Sequence, residues 1–118
     1  MGLWKELVDS ALDDETRNSE QEQLDWIARE PSNPHPYYHL GQLRRMQWKQ
    51  EEGLALLLHA VHLDPGFAGA HAALAEVYAV GHDYAAAWRH ARLAAQHGND
   101  RGVHLLTRHS IEEPASDG

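Results

Sequence analysis

Residues 68–91, AGAHAALAEVYAVGHDYAAAWRHA, consist of two alanine-rich runs separated by a Gly-His-Asp segment. A related arrangement lies earlier in the chain, where Gly41 stands in the place of Ala75 and Gly53 in the place of Ala87. Each of these pairs is separated by 34 residues. The turn positions between the units, Pro31, Pro65 and Asn99, have the same 34-residue spacing. A fixed period of this kind is the sequence signature of a stacked repeat. The chain is therefore expected to fold as repeated units rather than around one irregular core.

Each unit is predicted to be a pair of helices. Small residues at matching places, Gly41 with Gly53 and Ala75 with Ala87, let two helices approach closely. Apolar residues recur at helical spacing, and no alternating strand pattern competes. The predicted helices lie near 3–12, 19–29, 35–47, 51–63, 68–80, 84–97 and 102–111. A stacked array exposes its last apolar face, so the closing helix is expected to cover it. The expected covering residues are Val103, Leu105, Leu106 and Ile111.

The period and the residue pattern resemble those of the tetratricopeptide-repeat (TPR) family, in particular its small bacterial members. The family pattern is W-x2-L-G-x2-Y, then A-x3-F, then P. A first unit matches it at Tyr37, Leu40, Gly41, Gly53, Leu57, Ala60 and Pro65, with Arg44 as a poor match. A second unit carries His71, Leu74, Ala75, Tyr78, Ala87, Ala91, Ala94 and Asn99, and GHDYAAAW resembles the family's turn into the second helix. The resemblance implies an all-α, right-handed superhelical stack of antiparallel helix hairpins.

The resemblance also divides the chain. One TPR domain is expected over residues 1–112. Its parts are a degenerate or capping hairpin at 1–33, repeats at 34–67 and 68–101, and a capping helix at 102–112, followed by a polar tail at 113–118. The first hairpin is called degenerate because Glu20 stands where a small apolar residue is expected.

Composition narrows the classes of function. The formal charge of −8 disfavours nucleic acid and anionic membranes as partners. The chain has no cysteine and no long apolar run that would insert into a membrane, so a cytoplasmic location is expected. The few Lys beside many Arg and Ala hint at a GC-rich bacterial genome. No phosphate loop, G-x-S-x-G or kinase motif occurs, so the chain is not expected to be an enzyme.

By resemblance, the first helix of each repeat lines a concave groove that receives a protein or peptide partner. The groove positions of the clear repeats are His35, Tyr38, His39, Gln42, Arg45, Met46, Ala72, Ala73, Glu76, Ala79 and Val80. Lys5, Asp9 and Leu12 continue them in the N-terminal hairpin. Some family members clamp a terminal carboxylate with Lys and Asn, and those residue types are missing at these positions. The leading interpretation is a non-enzymatic adaptor without a cofactor that binds a partner peptide or helix. An alternative reading is that the small alanines only allow the closing helix to pack closely.

The ten histidines of the chain suggest alternatives to the adaptor function. His35 and His39 have the i, i+4 spacing that can present two imidazoles to one metal ion, and His71 is a weak candidate for a third ligand. Without HExxH or cysteine, no dedicated metal site is expected. Since imidazoles titrate near pH 6 to 7, binding or self-association can depend on pH. A metal-binding or pH-responsive helical protein and a self-assembling structural unit, hence a homo-oligomer, remain open.

Overall fold

A computed structural model describes residues 19–114 of the chain, and within that range the backbone forms six helices. Helix α1 covers residues 19–29. The others are α2 (Pro34–Met46), α3 (Gln50–Leu63), α4 (Ala68–Val80), α5 (Tyr84–Gln96) and α6 (Arg101–Arg108). No strand occurs between residues 19 and 114, and the predicted all-α fold class is confirmed. The predicted helix at 3–12, with Lys5, Asp9 and Leu12, lies outside the described residues.

The helices pack in succession as hairpins. Helix α2 packs against α3, and α4 packs against α5. Only residues 47–49 and 81–83 connect the members of each pair, and connections this short make the paired helices antiparallel. Contacts between α3 and α4, and of α6 with both α4 and α5, continue the stack. The predicted stack of antiparallel hairpins is therefore confirmed.

The repeat period of the sequence is present in the backbone itself. Helix α4 begins and ends exactly one period after α2, and α5 begins one period after α3. Trp48 and His82 occupy matching places in the two hairpin turns, and both adopt a left-handed φ of 63°. In each turn an amide N–H just beyond this residue donates a 2.9 Å hydrogen bond to the carbonyl five residues earlier. This is the bond that closes a Schellman-type helix end.

Small residues allow the close approach inside each hairpin. A Cβ atom added at Gly53 would lie 2.9 Å from the carbonyl oxygen of Gly41, and one added at Gly41 would lie 3.1 Å from Leu57 Cγ. The matching residues of the second hairpin, Ala75 and Ala87, are completely buried. The contact between α2 and α3 therefore has no space for a methyl group at Gly41 or Gly53. The matching contact between α4 and α5 holds the methyl groups of both Ala75 and Ala87.

Within residues 19–114 the buried side chains form two clusters. One contains Leu57, Ala73 and Leu74 between the hairpins. The other contains Ala75, Ala87, Trp88, Ala91 and Leu106, and it joins the second hairpin to α6. Tyr78 packs against both clusters.

Helix α6 covers the end of the stack and is shorter than predicted. Leu106 is fully buried, and Val103 and Ile111 pack against its cluster. The helix ends because Ser110 adopts a left-handed φ of 57° and the Ile111 amide donates a 2.9 Å hydrogen bond to the Leu106 carbonyl. This ending places an apolar residue after the helix against one inside it, as Schellman motifs commonly do. Ile111 therefore contacts the core from beyond α6, and the predicted boundary at 111 was too late.

Candidate functional site

Side chains of α2, α4 and α6 meet on one surface, called here the first-helix surface. Glu76 of α4 forms ion pairs with Arg45 of α2 and Arg101 of α6, each with an N–O distance of 3.4 Å. Arg45 and Glu76 are mostly buried, whereas the side chain of Arg101 is 56% exposed. Three helices that are distant in sequence therefore present a continuous row of charges, positive, negative and positive.

A cleft of about 280 Å³ lies at one end of this row, and Gln42, Arg45, Met46 and Gln50 line it. Arg45 Nη1 donates a 2.8 Å hydrogen bond to Gln42 Oε1, which holds the guanidinium against α2. Met46 is 75% exposed, so it offers an accessible apolar side chain beside Arg45. The structure thus brings together three predicted groove residues, Gln42, Arg45 and Met46, and adds Gln50.

Aromatic rings gather at the start of α2. The Tyr38 ring lies 5.1 Å from that of Phe67 and 5.2 Å from that of His39. His35 also packs on Phe67, with 4.9 Å between ring centroids, and His39 stacks with Trp26 of α1 at 6.5 Å. Tyr38 packs against the Leu57 cluster, so it supports the fold as well as the surface. His35 and His39 are exposed.

The predicted alanine positions differ in accessibility. Ala72 and Ala73 have no exposed surface, and Ala79 packs against the second core cluster. Val80 at the end of α4 is 71% exposed. The accessible apolar surface of α4 therefore lies at its last turn, and Ala72 offers a partner no direct contact.

A pair of buried histidines joins α4 to α5. His71 and His90 are 4% and 8% exposed, and their Nδ1 atoms lie 3.0 Å apart. His71 Nε2 lies 2.7 Å from the Pro65 carbonyl oxygen, which only accepts hydrogen bonds. Nε2 of His71 therefore carries the proton, and in the neutral pair His71 Nδ1 accepts from His90 Nδ1–H. The His90 ring also stacks on Tyr78, at 5.5 Å and nearly parallel.

The same polar contact appears in the first hairpin. The Tyr37 hydroxyl donates a 2.7 Å hydrogen bond to the Pro31 carbonyl, and these two residues lie one repeat period before His71 and Pro65. His71 thus takes the place of a tyrosine that ties the first helix of a hairpin to the preceding turn. Its second ring nitrogen then needs a buried partner, which His90 supplies.

The environment of His90 disfavours a charge. Burial above all, together with the nearby His71 and Arg89, lowers the pKa of His90 to about 4. Burial and the neighbouring His35 also lower the pKa of His39. Both imidazoles are therefore harder to protonate than a free histidine.

The three weak metal candidates have other roles in the fold. Both ring nitrogens of His71 are engaged, by Pro65 and His90, while His35 packs on Phe67. The His39 ring stacks with Trp26. Between residues 19 and 114, no group of three His, Cys, Asp or Glu side chains is placed to hold a metal ion.

Two features of the site were not predicted, and the burial of two tryptophans was left open. Arg101 is the first residue of α6, one place before the predicted start of the helix. It was therefore not expected to lie beside Glu76. The His71–His90 pair depends on how two helices cross, although the match of His71 to Tyr37 in the repeat was a usable signal. Trp48, whose burial the sequence did not indicate, is 86% exposed, whereas Trp88 is 7% exposed.

Comparison with known proteins does not assign this chain to a protein family. No protein-family model matches it, and no curated protein does. The likeness to the TPR pattern rests on the chain's own residues and on the periodic spacing of its helices.

None of the helices in the described part of the chain combines the length and apolar character needed to cross a membrane.

Proposed function

We propose that the protein is a TPR-type, non-enzymatic adaptor that binds a peptide or helix of a cytoplasmic partner protein on its first-helix surface. The regular spacing of helix starts, helix ends and turn residues supports the family assignment. In such arrays the first helices of successive repeats form the surface that receives extended or helical segments.

One observation carries the proposal. The Arg45–Glu76–Arg101 row shows that the first helices of both hairpins, and the closing helix, display side chains on one shared surface. Met46 lines the same cleft as Arg45 and is exposed, and His39, three residues before Gln42 on α2, is exposed as well. This mixture suits an amphipathic segment, with polar groups that pair along the row and an apolar side chain that contacts Met46.

The test compares captured proteins from native cell extract. The bait is the full chain, either unchanged or carrying His39→Ser together with Met46→Ser. Both residues are exposed, and since the His39 ring also stacks with Trp26, a thermal melt checks that the double variant folds as the unchanged chain does. Quantitative mass spectrometry should show a defined protein that is enriched on the unchanged bait and reduced by about tenfold or more on the variant, because the variant lacks two contact residues.

A matched control carries His62→Ser and Leu58→Ser on α3, which replaces one exposed histidine and one exposed apolar residue outside this surface. The control bait should retain the partner. Equal loss on both double variants, or no loss on either, would contradict binding at the first-helix surface.

A second function, a pH-responsive helical protein, is favoured by the buried His71–His90 pair. Acid conditions would charge an imidazole that holds α5 to α4. Partner binding measured at about pH 7 and pH 4, on the unchanged chain and on His90→Gln, separates the two proposals, because only the pH-responsive protein requires a change that depends on His90.

A further inference from the structure

A second cleft lies between α3 and the last turn of α4. Its volume is about 390 Å³, within the range of small-ligand pockets. Leu54, Val77, Tyr78 and Val80 form its apolar part. The first three pack on the Leu57 cluster, and Val80 remains 71% exposed. The base of the cleft is thus apolar and packed on the core, and Val80 adds an accessible apolar side chain at its edge.

The charged residues of this cleft are all acidic. Glu51 and Asp83 line it, and among the described residues that form its walls there is no Lys, Arg or His. Glu51 lies in the first turn of α3, and Asp83 caps α5 by accepting a 3.2 Å hydrogen bond from the Ala86 amide. Helix N-termini favour negative charge, so acidic residues suit both of these positions at the rim.

The matching position of the second hairpin has a different character. There Ala85, Trp88 and Pro114 replace Glu51, Leu54 and Val80, and the lining includes Arg89 and Arg92. Arg92 is paired with Glu113, with Nε 2.6 Å from Oε1. The repeat therefore does not require an acid at position 51, since the matching residue of the second hairpin is Ala85.

We propose that the cleft between α3 and α4 docks a partner segment carrying one large apolar side chain flanked by Lys or Arg. The apolar side chain covers Val80 and contacts Leu54 and Val77, while the flanking cations pair with Glu51 and Asp83. This site goes beyond the proposed adaptor function, because it uses the side of α3 and shares only Gln50 with the cleft of the first-helix surface.

Selection of peptides tests the chemistry directly. A phage library of random dodecapeptides is selected on the immobilised full chain, and the enriched sequence is made as a fluorescent synthetic peptide. The enriched sequences should carry a large apolar residue with Lys or Arg beside it. Binding of the synthetic peptide should weaken by about tenfold on Val80→Ser and on the double variant Glu51→Gln with Asp83→Asn. Asn caps helices about as well as Asp, so the double variant keeps its fold.

Two matched variants locate the contact. Met46→Ser changes the exposed apolar residue at the matching end of α2, and Glu52→Gln changes the acid next to Glu51 that does not line the cleft. Both should bind the peptide normally. The proposal is overturned if no sequence is enriched, if the enriched sequences lack basic flanks, or if the cleft variants bind as the unchanged chain does. Loss on Met46→Ser alone would assign the peptide to the first-helix surface instead. A dimer in sedimentation that disappears with Val80→Ser would replace the foreign segment by a second copy of the chain.

Discussion

Gly53 of α3 and Gly41 of α2 face each other without space for a side chain. A methyl group at position 53 would lie 2.8 Å from Arg45 Cγ and 2.9 Å from the Gly41 carbonyl oxygen. Gly53→Ala gains up to about 1 kcal/mol of helix propensity, but overpacking costs about 1 to 3 kcal/mol. We expect a net loss of about 1 kcal/mol in the free energy of unfolding, measured by urea denaturation.

Gly81→Ala is the matched control. A Cβ at Gly81 would have its closest neighbours at 3.7 Å, and the backbone there has a negative φ of −82°. This variant should be as stable as the unchanged protein or slightly more stable. A destabilisation equal to that of Gly53→Ala would contradict the close contact between α2 and α3.

His90 links stability to pH. Its pKa is lowered from 6.5 to about 4 in the folded protein, so the unfolded chain binds this proton more readily. The stabilisation is therefore complete above about pH 6.5 and decreases as pH falls from 6.5 towards 4. Between about pH 7 and pH 5 we expect a loss of about 2 kcal/mol from this residue, measured by urea denaturation at each pH.

His90→Gln should reduce this pH dependence, whereas His62→Gln, at an exposed position on α3, should leave it unchanged. Titration of the His90 ring by NMR gives an independent measurement. A midpoint near the ordinary value of 6.5 would contradict the buried, neutral pair.

Helix α6 depends on its contacts with the stack, since an eight-residue helix is too short to persist alone. Its buried side chain is Leu106, and Ile111 joins the same cluster from beyond the helix. Leu106→Ala is expected to lower the free energy of unfolding by about 2 to 5 kcal/mol and to lower the melting temperature.

His109→Ala, at the exposed C-cap of α6, serves as the comparison and should change stability little. Thermal melts followed by circular dichroism measure both variants. A Leu106→Ala protein that melts with the unchanged protein would show that α6 does not cover the core.

Helix positions were predictable because turn residues and small residues mark each hairpin. Predicted helices at 35–47, 68–80 and 84–97 correspond closely to α2, α4 and α5. The end of α6 was missed because Ile111 continues the apolar spacing of the helix, while its contact with Leu106 is made after the chain has turned. Apolar spacing is the same whether Ile111 is buried from within the helix or from the turn that follows it, so the spacing does not show where the helix ends.

Contacts between helices were harder to predict than the helices themselves. Arg45 and Glu76 were both expected at the groove, but their ion pair, and the addition of Arg101, depend on how closely neighbouring hairpins stack. Ala72 was expected at the same surface and is completely buried. The repeat pattern predicted which residues lie on the groove side of each helix. Packing between the helices determined which of their side chains are accessible.

For the whole molecule, the two proposed contact surfaces lie on either side of Gln50. The first-helix surface combines a row of charges with Met46, and the cleft between α3 and α4 combines Val80 with two carboxylates. Met46 and Val80 occupy the same place in successive repeats and end matching helices, yet they belong to different surfaces. Variants at these two residues therefore separate the two binding functions in one protein.

The most direct test of the adaptor proposal is site-specific photocrosslinking in native cell extract. A photoreactive phenylalanine derivative replaces Met46 on the first-helix surface or, as the control, Leu58, which is 38% exposed on α3. We expect a crosslink to one defined protein from position 46 and none to that protein from position 58. Crosslinking of the same protein from position 58 alone, or equally from both positions, would contradict partner binding at the first-helix surface.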